Sequence, residues 1–136
     1  MSGQFLRPYW GVYFVFSVQE ETTLSGARTA AYGIAPDLAI AVDVTATGDT
    51  PEARPMAVEL GKGPAVKVQD ARMIAHPRVR DLLVHAAEAA GVPYQMEVLE
   101  RGTTDAAVMQ IVAYSDEIVH VFRSCRPPVG AKRRQH

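Results

Sequence analysis

The stretch "GVYFVFSVQEETTLSGARTAAYGIAPDLAIAVDV", residues 11–44, decides the fold class of this sequence. Its first part, residues 12–18, is a continuous run of β-branched and aromatic residues, which predicts a strand buried on both faces. Small residues at 23–33 predict a short helix that ends at "GIAPD". Residues 38–44 then predict a second buried strand, ending in Asp43. A strand, a helix and a strand in succession indicate an α/β fold.

The rest of the chain continues this alternation. After an irregular region of extended segments broken by glycines, Pro77 suits the first position of a helix. Residues 94–100 predict a strand, residues 103–114 a helix that starts with capping residues, and residues 117–124 a final strand. We therefore expect a mostly parallel sheet flanked by helices. The helix from Pro77 is predicted to end at Gly91 and Pro93 and to bury one apolar face, made of Val79, Leu82, Leu83, Ala86 and Ala90.

Composition limits the class of protein. With 136 residues, 48% of them hydrophobic and 21% charged, the chain suits one soluble globular domain. A net charge of −1 gives no electrostatic basis for binding nucleic acid or an anionic membrane, and no apolar run approaches the roughly 18 residues of a membrane span. The single cysteine, Cys125, excludes an internal disulfide and suits a reducing compartment. We expect a cytoplasmic protein without a nucleic-acid or membrane partner.

Three acidic residues fall at the predicted strand ends. Glu20 and Glu21 follow the first apolar run, and Asp43 ends the second predicted strand. Ligands of parallel α/β sheets bind beyond the carboxyl ends of the strands, which favours a functional site. The alternative is that these charges are solvated where strands meet water. Both interpretations remain open from the pattern alone.

Four stretches together resemble one family: "VQEETTLSGA", "DLAIAVDVTATGDTP", "ELGKGPAVKVQD" with "MIAHPRVRDLL", and "GVPYQMEVLERGTTDAAVMQI". In order and spacing they are similar to the tetrahedral (TET) aminopeptidases, a family that includes glutamyl aminopeptidases and cellulase-M-like proteins. The resemblance implies that residues 12–124 form a truncated, zinc-peptidase-like (phosphorylase/hydrolase-like) catalytic domain. Residues 1–11 would then be an N-terminal segment, and residues 125–136 a basic C-terminal tail.

The resemblance also implies a site. Members of the family hold a co-catalytic pair of divalent metals, usually zinc or cobalt, and hydrolyse peptides next to a free N-terminus. By position, Glu20 would be the general base, Glu21 a ligand of one metal and Asp43 a ligand of the other. The glycine-containing loop at residues 101–106 resembles a loop near the family's substrate pocket. We assign Gly102, Thr103 and Asp105 to that pocket on weaker grounds. Asp105 is also expected to start a helix.

The sequence departs from the family in its metal ligands. Histidine and aspartate ligands that the family supplies upstream of the paired glutamates have no room before Glu20. Near the C-terminus, Cys125 and Arg126 match a motif that reads approximately P-C/T-R-Y-x-H-S, but Val129 stands at its histidine position. The four histidines of the chain are predicted to lie in a strand (His120), at a helix start (His76), on a polar helix face (His85) and at the terminus (His136). We therefore expect an incomplete metal site. One expected outcome is that this chain alone binds no metal.

Three functional hypotheses follow. The chain is a fragment of a two-metal aminopeptidase that is inactive by itself, one half of a split peptidase, or a non-enzymatic oligomerisation or binding module on the same fold. In each case the resemblance implies an uncovered sheet edge. We expect a homo-oligomer or a second polypeptide to cover this edge.

Overall fold

The computed structural model describes residues 11–112 and 118–124, which form a four-stranded sheet and three helices. The helices are α1 (Ser25–Ile34), α2 (Pro77–Ala90) and α3 (Asp105–Val112), and the strands are β1 (Ala39–Thr45), β2 (Ala65–Gln69), β3 (Gln95–Val98) and β4 (Ile118–Ser124). The strand order is β1-β4-β2-β3. The pairs β1–β4 and β2–β3 are parallel, and β2–β4 is antiparallel. The predicted α/β fold with a mostly parallel sheet is confirmed.

The predicted strand at residues 12–18 is wrong for the described structure. These residues are not in a strand, and their side chains are largely exposed, reaching 88% for Phe14 and 97% for Phe16. A run that is apolar on both faces becomes a buried strand only where neighbouring strands and covering helices are available. The sequence pattern shows that the run is apolar, but it does not show whether those neighbours are present.

The second predicted strand is confirmed as β1, but it is buried on one face only. Ala41 and Thr45 are buried, whereas Ile40, Val42 and Val44 of the opposite face are exposed. Asp43 does not end the strand: β1 continues to Thr45, and Asp43 lies half-buried on the same face as Ala41. Helix α3 packs against this face of the sheet, so Asp43 lies on the side of the sheet where the helices are.

The helices form where the sequence predicts them, but α2 buries less of its apolar face than predicted. Helix α2 starts at Pro77 and ends at Gly91, which has a left-handed backbone conformation (φ 64°). Of its predicted apolar face only Val79 is fully buried; Leu83 is half-buried, while Leu82, Ala86 and Ala90 are exposed. A narrow sheet contacts a narrow stripe of each helix. Four alanines in the main core allow close approach of the helices to the sheet. The cluster consists of Ala41, Met73, Ala75, Val79, Ala106 and Ala107.

A charged pair lies inside the sheet. The Lys67 Nζ of β2 is 2.8 Å from the Glu97 Oε2 of β3, and both side chains are completely buried. The Thr45 hydroxyl donates a hydrogen bond of 2.6 Å to Glu97 Oε1. Burial lowers the pKa of the Lys67 ammonium, while the hydrogen bond and charge of Glu97 act in the opposite direction. This pair joins β1, β2 and β3 through side chains.

Candidate active site

A tight turn carries the paired glutamates. The backbone N–H groups of Thr22, Thr23 and Leu24 all donate to the Gln19 carbonyl, at 3.3, 3.1 and 2.9 Å. Gln19 and Leu24 have left-handed backbone conformations, with φ of 62° and 56°. The turn leads directly into α1, and the Ser25 hydroxyl at the start of that helix donates to the side-chain carbonyl of Gln19. The position of the glutamates relative to α1 is therefore set by backbone hydrogen bonds.

Glu20 lies in an acidic environment. Its carboxyl is half-buried and hydrogen-bonded to the side chain of Asp43, while Glu21 is exposed. Partial burial, followed by the charges of Asp43, Asp105 and Glu21, raises the pKa of Glu20 from 4.5 to about 7. The structure thus brings the carboxyl groups of Glu20, Glu21 and Asp43 close together.

Asp105 belongs to the same cluster. It is the first residue of α3, and its Oδ2 accepts a hydrogen bond from the Ser17 hydroxyl. Its other oxygen, Oδ1, is buried and has no hydrogen-bond partner among the described residues. The prediction that Asp105 starts a helix is confirmed. Its approach to Glu20 was not predicted, because only the packing of α3 on β1 shows that these two chain segments meet.

Gly102 and Thr103 have contacts of another kind. The Gly102 carbonyl accepts a hydrogen bond of 3.2 Å from the Ala71 N–H, and Gly102 has a left-handed φ of 101°. The Thr103 hydroxyl donates to Asp70 Oδ2 at 3.3 Å. These contacts anchor the loop at residues 101–104 to the segment after β2. They position Asp105, whereas a contact of Gly102 or Thr103 with substrate stays a prediction.

The described residues do not fit a complete pair of metals. Within residues 11–112 and 118–124, no group of three or more histidine, cysteine, aspartate or glutamate side chains is arranged to hold a metal ion. Crowded carboxylates favour a cation electrostatically, but the two ligands inferred from the resemblance are both carboxylates, which hold zinc or cobalt weakly without an imidazole. His76 precedes α2 without capping it through its side chain, and His85 is exposed on α2. Cys125, Arg126 and Val129 lie outside the described residues.

Stability is expected to depend on pH through Glu20. Because its pKa is about 7 in the folded chain and near 4.5 otherwise, the folded state binds this proton more tightly than the unfolded state. The contribution of Glu20 therefore favours folding at low pH and is lost as pH rises through about 7. In buffer with a chelator, the Tm of the wild type should fall more between about pH 5 and pH 7.5 than the Tm of Glu20→Gln. Parallel Tm profiles would contradict the assignment; the exposed Glu100→Gln is the matched control.

Comparison with known proteins identifies the class. The fold matches a TET aminopeptidase from the marine sediment archaeon Thaumarchaeota archaeon SCGC AB-539-E09 with a TM-score of 0.74 and 30% identity, covering 79% of this chain and 30% of that one. It also matches the TET1 peptidase of Pyrococcus horikoshii, which can assemble into a tetrahedron or a large octahedral shell, with a TM-score of 0.64 and 29% identity over 80% and 31% of the two chains. The fold is that of part of an aminopeptidase catalytic domain.

The family follows from the sequence. The M42 glutamyl aminopeptidase family matches residues 5–121, and this chain belongs to that family. A protein of Acetivibrio thermocellus is 56% identical over 102 residues, which are 75% of this chain and 31% of that protein. The chain thus spans about a third of the length of the curated relatives it matches. Among the described residues, no helix is both long and apolar enough to cross a membrane.

Proposed function

We propose that this chain is part of the catalytic domain of an M42-type aminopeptidase, which removes N-terminal residues from peptides in the cytoplasm, with Glu20 as the general base. The observation that carries the proposal is the position of Glu20. It is hydrogen-bonded to Asp43 near the carboxyl end of β1, inside a group of carboxylates. Ligands of α/β sheets bind at this end of the strands.

The environment of Glu20 suits proton transfer at neutral pH. A general base works best when its pKa is close to the working pH, and partial burial together with the neighbouring carboxylates raises the pKa of Glu20 to about 7. Glu20 can therefore accept a proton from an attacking water and release it to the leaving amine. The turn at Gln19 holds the backbone beneath the carboxyl.

We assign Glu21 and Asp43 as carboxylate ligands of a divalent cation, zinc or cobalt. The further ligands come from outside the described residues, so the chain alone is inactive or nearly so. A polypeptide corresponding to the remaining two-thirds of a relative, or another copy of this chain, completes the site. The two arrangements correspond to a split peptidase and to a self-assembled one.

A second candidate function is a non-enzymatic oligomerisation or binding module. The observation that favours it is the exposed apolar surface of β1, which includes Val42 at 74% exposure. This function does not require Glu20. Substitution of Glu20 therefore distinguishes the two candidates.

Hydrolysis of amino-acid p-nitroanilides, with and without added zinc or cobalt, tests the proposal. We expect no turnover by the chain alone above that of Glu20→Ala. Co-expressed with the remaining part of an M42 relative, the chain should give metal-dependent turnover that Glu20→Gln lowers by about 10²–10⁴-fold.

The matched control is the exposed Glu100→Gln, which should keep full turnover. Equal turnover by the wild type and Glu20→Gln would refute the role of Glu20. Turnover by the chain alone that Glu20→Ala abolishes would show that copies of the chain complete the site for one another.

A further inference from the structure

The end of β1 is tied to a strand that is not its neighbour in the sheet. In the order β1-β4-β2-β3, strand β4 separates β1 from β2, and β3 lies beyond β2. The Thr45 hydroxyl nevertheless donates a hydrogen bond of 2.6 Å to the Oε1 atom of Glu97, which belongs to β3. This bond therefore fixes the last residue of β1 relative to the β2–β3 pair, in addition to the backbone pairing of β1 with β4.

The acceptor of this bond is itself held in place. Lys67 and Glu97 are register partners of the parallel strands β2 and β3, and Lys67 Nζ lies 2.8 Å from Glu97 Oε2. Both side chains are completely buried, and Thr45 is 5% exposed. A hydrogen bond to an ionised carboxylate is stronger than one between neutral groups, and burial strengthens it further. Thr45, Glu97 and Lys67 thus form a buried polar link from β1 to β2 and β3.

The link begins two residues from Asp43. Side chains alternate along a strand, so Thr45 and Asp43 lie on the same face of β1. Asp43 is close enough to Lys67, and also to Glu20, for the charges to interact. A displacement of Thr45 relative to β3 would therefore displace Asp43 relative to the other carboxylates of the site.

The opposite side of the acidic site is anchored to β2 as well. Asp70 directly follows β2 and is 3% exposed, and its Oδ2 accepts a hydrogen bond of 3.3 Å from the Thr103 hydroxyl. Thr103 precedes Asp105 by two residues, and the charge of Asp70 also acts on Lys67. The two segments that carry Asp43 and Asp105 are thus both positioned by side-chain contacts with β2 and β3 or with the residue that follows β2.

We infer that Thr45 and Glu97 are positioning residues for the proposed active site. Their hydrogen bond holds the end of β1 so that Asp43 keeps its place beside Glu20. Both residues are buried and act through Asp43, without taking part in the bond-making steps. The inference rests on the proposed function for its catalytic consequence, whereas the placement of Asp43 is a property of the folded chain.

The first test is the carbon NMR resonance of the Asp43 carboxyl group in the full chain, at a fixed pH with a chelator present. Thr45→Val removes the hydroxyl donor, keeps the shape of the side chain and should shift this resonance. Thr45→Ser keeps a donor and should leave the resonance close to its wild-type position. An unshifted resonance in Thr45→Val would overturn the inference.

The matched control is Val58→Ala. Val58 is fully buried in a separate cluster with Ala65, so its truncation removes core contacts without changing the link. It should leave the Asp43 resonance in place, and a shift equal to that in Thr45→Val would contradict a specific link. The wild type gives a further measurement that does not require Thr45→Val to fold. An NOE between the Thr45 hydroxyl proton and the Glu97 side chain is expected, and its absence would also overturn the inference.

Turnover tests the catalytic consequence. In the assembly with the remaining part of an M42 relative, Thr45→Val should lower kcat at least about tenfold with little change in KM, because a misplaced group at the reacting centre weakens the transition state more than substrate binding. Thr45→Ser and Val58→Ala should keep kcat. An unchanged kcat in Thr45→Val, where Glu20→Gln loses turnover, would overturn the inference. Turnover that Glu20→Gln leaves unchanged would refute the proposed function instead, and the NMR result would still decide whether the link positions Asp43.

Discussion

Replacement of Lys67 by methionine is expected to lower the free energy of unfolding by about 3–5 kcal/mol. The substitution keeps an unbranched side chain of similar volume, one atom shorter, and removes its charge. It leaves the Glu97 carboxylate, which is 1% exposed, without the ammonium that lies 2.8 Å from it. The Thr45 hydroxyl still donates to Glu97, but one neutral hydrogen bond does not offset the burial of a charge.

The double variant Lys67→Met/Glu97→Leu tests whether the loss of stability comes from the unpaired charge of Glu97. Removing both charges with side chains of similar volume should restore most of the lost stability, because a buried ion pair contributes little over an apolar pair. Urea denaturation of the wild type, both single variants and the double variant gives the coupling free energy directly. If the double variant were less stable than either single variant, the pair would not be the source of the effect. Glu59→Gln, at an exposed position in the loop before β2, is the control for an ordinary charge removal.

Gly63→Ala is the second substitution with a large expected effect. Gly63 has a φ of 94°, and a Cβ at this position would lie 1.8 Å from the Pro93 carbonyl oxygen. The Gly63 carbonyl also accepts a hydrogen bond of 3.0 Å from the side chain of Gln95 at the start of β3. A methyl group therefore forces apart the two backbone segments that lead into β2 and β3. Backbone strain and overpacking together predict a loss of about 3–5 kcal/mol.

Gly61→Ala provides the matched control for this clash. Gly61 has a similar positive φ of 76°, but no atom lies within 4 Å of the position of its Cβ. Alanine there experiences only the cost of the left-handed conformation, about 1–2 kcal/mol. Thermal or urea denaturation should therefore rank the wild type above Gly61→Ala and Gly61→Ala well above Gly63→Ala. If both variants lost the same amount of stability, the positive φ alone would account for the effect. That result would contradict the predicted clash with Pro93.

The buried pair and the acidic cluster are connected by β1. Thr45, which donates to Glu97, is on the same face of β1 as Asp43, and the charges of Asp43 and Asp70 both act on Lys67. Lys67 is thus close enough to Asp43, one of the carboxylates that meet at Glu20, for the two charges to interact. Substitutions of Lys67 are expected to change the electrostatic environment of the site as well as the stability of the sheet.

Local patterns along the chain determined the elements with strong start and stop residues. Pro77 and Gly91 bound α2 at the predicted positions, and Asp105 starts α3. The segment around Glu20 and the strand containing Asp43 were identified through motifs resembling a peptidase family, and membership of the M42 family is now shown. These features depend on residues close in sequence, so a single chain carries enough information to predict them.

Tertiary structure alone decided which surfaces are covered and which charges meet. The run at residues 12–18 has the composition of a buried strand, yet its exposure depends on whether neighbours are present. The Lys67–Glu97 pair and the approach of Asp105 to Glu20 join residues far apart in sequence, and no local pattern marks them. The physical reason is that burial and pairing are properties of two surfaces in contact, whereas a sequence pattern describes one surface at a time.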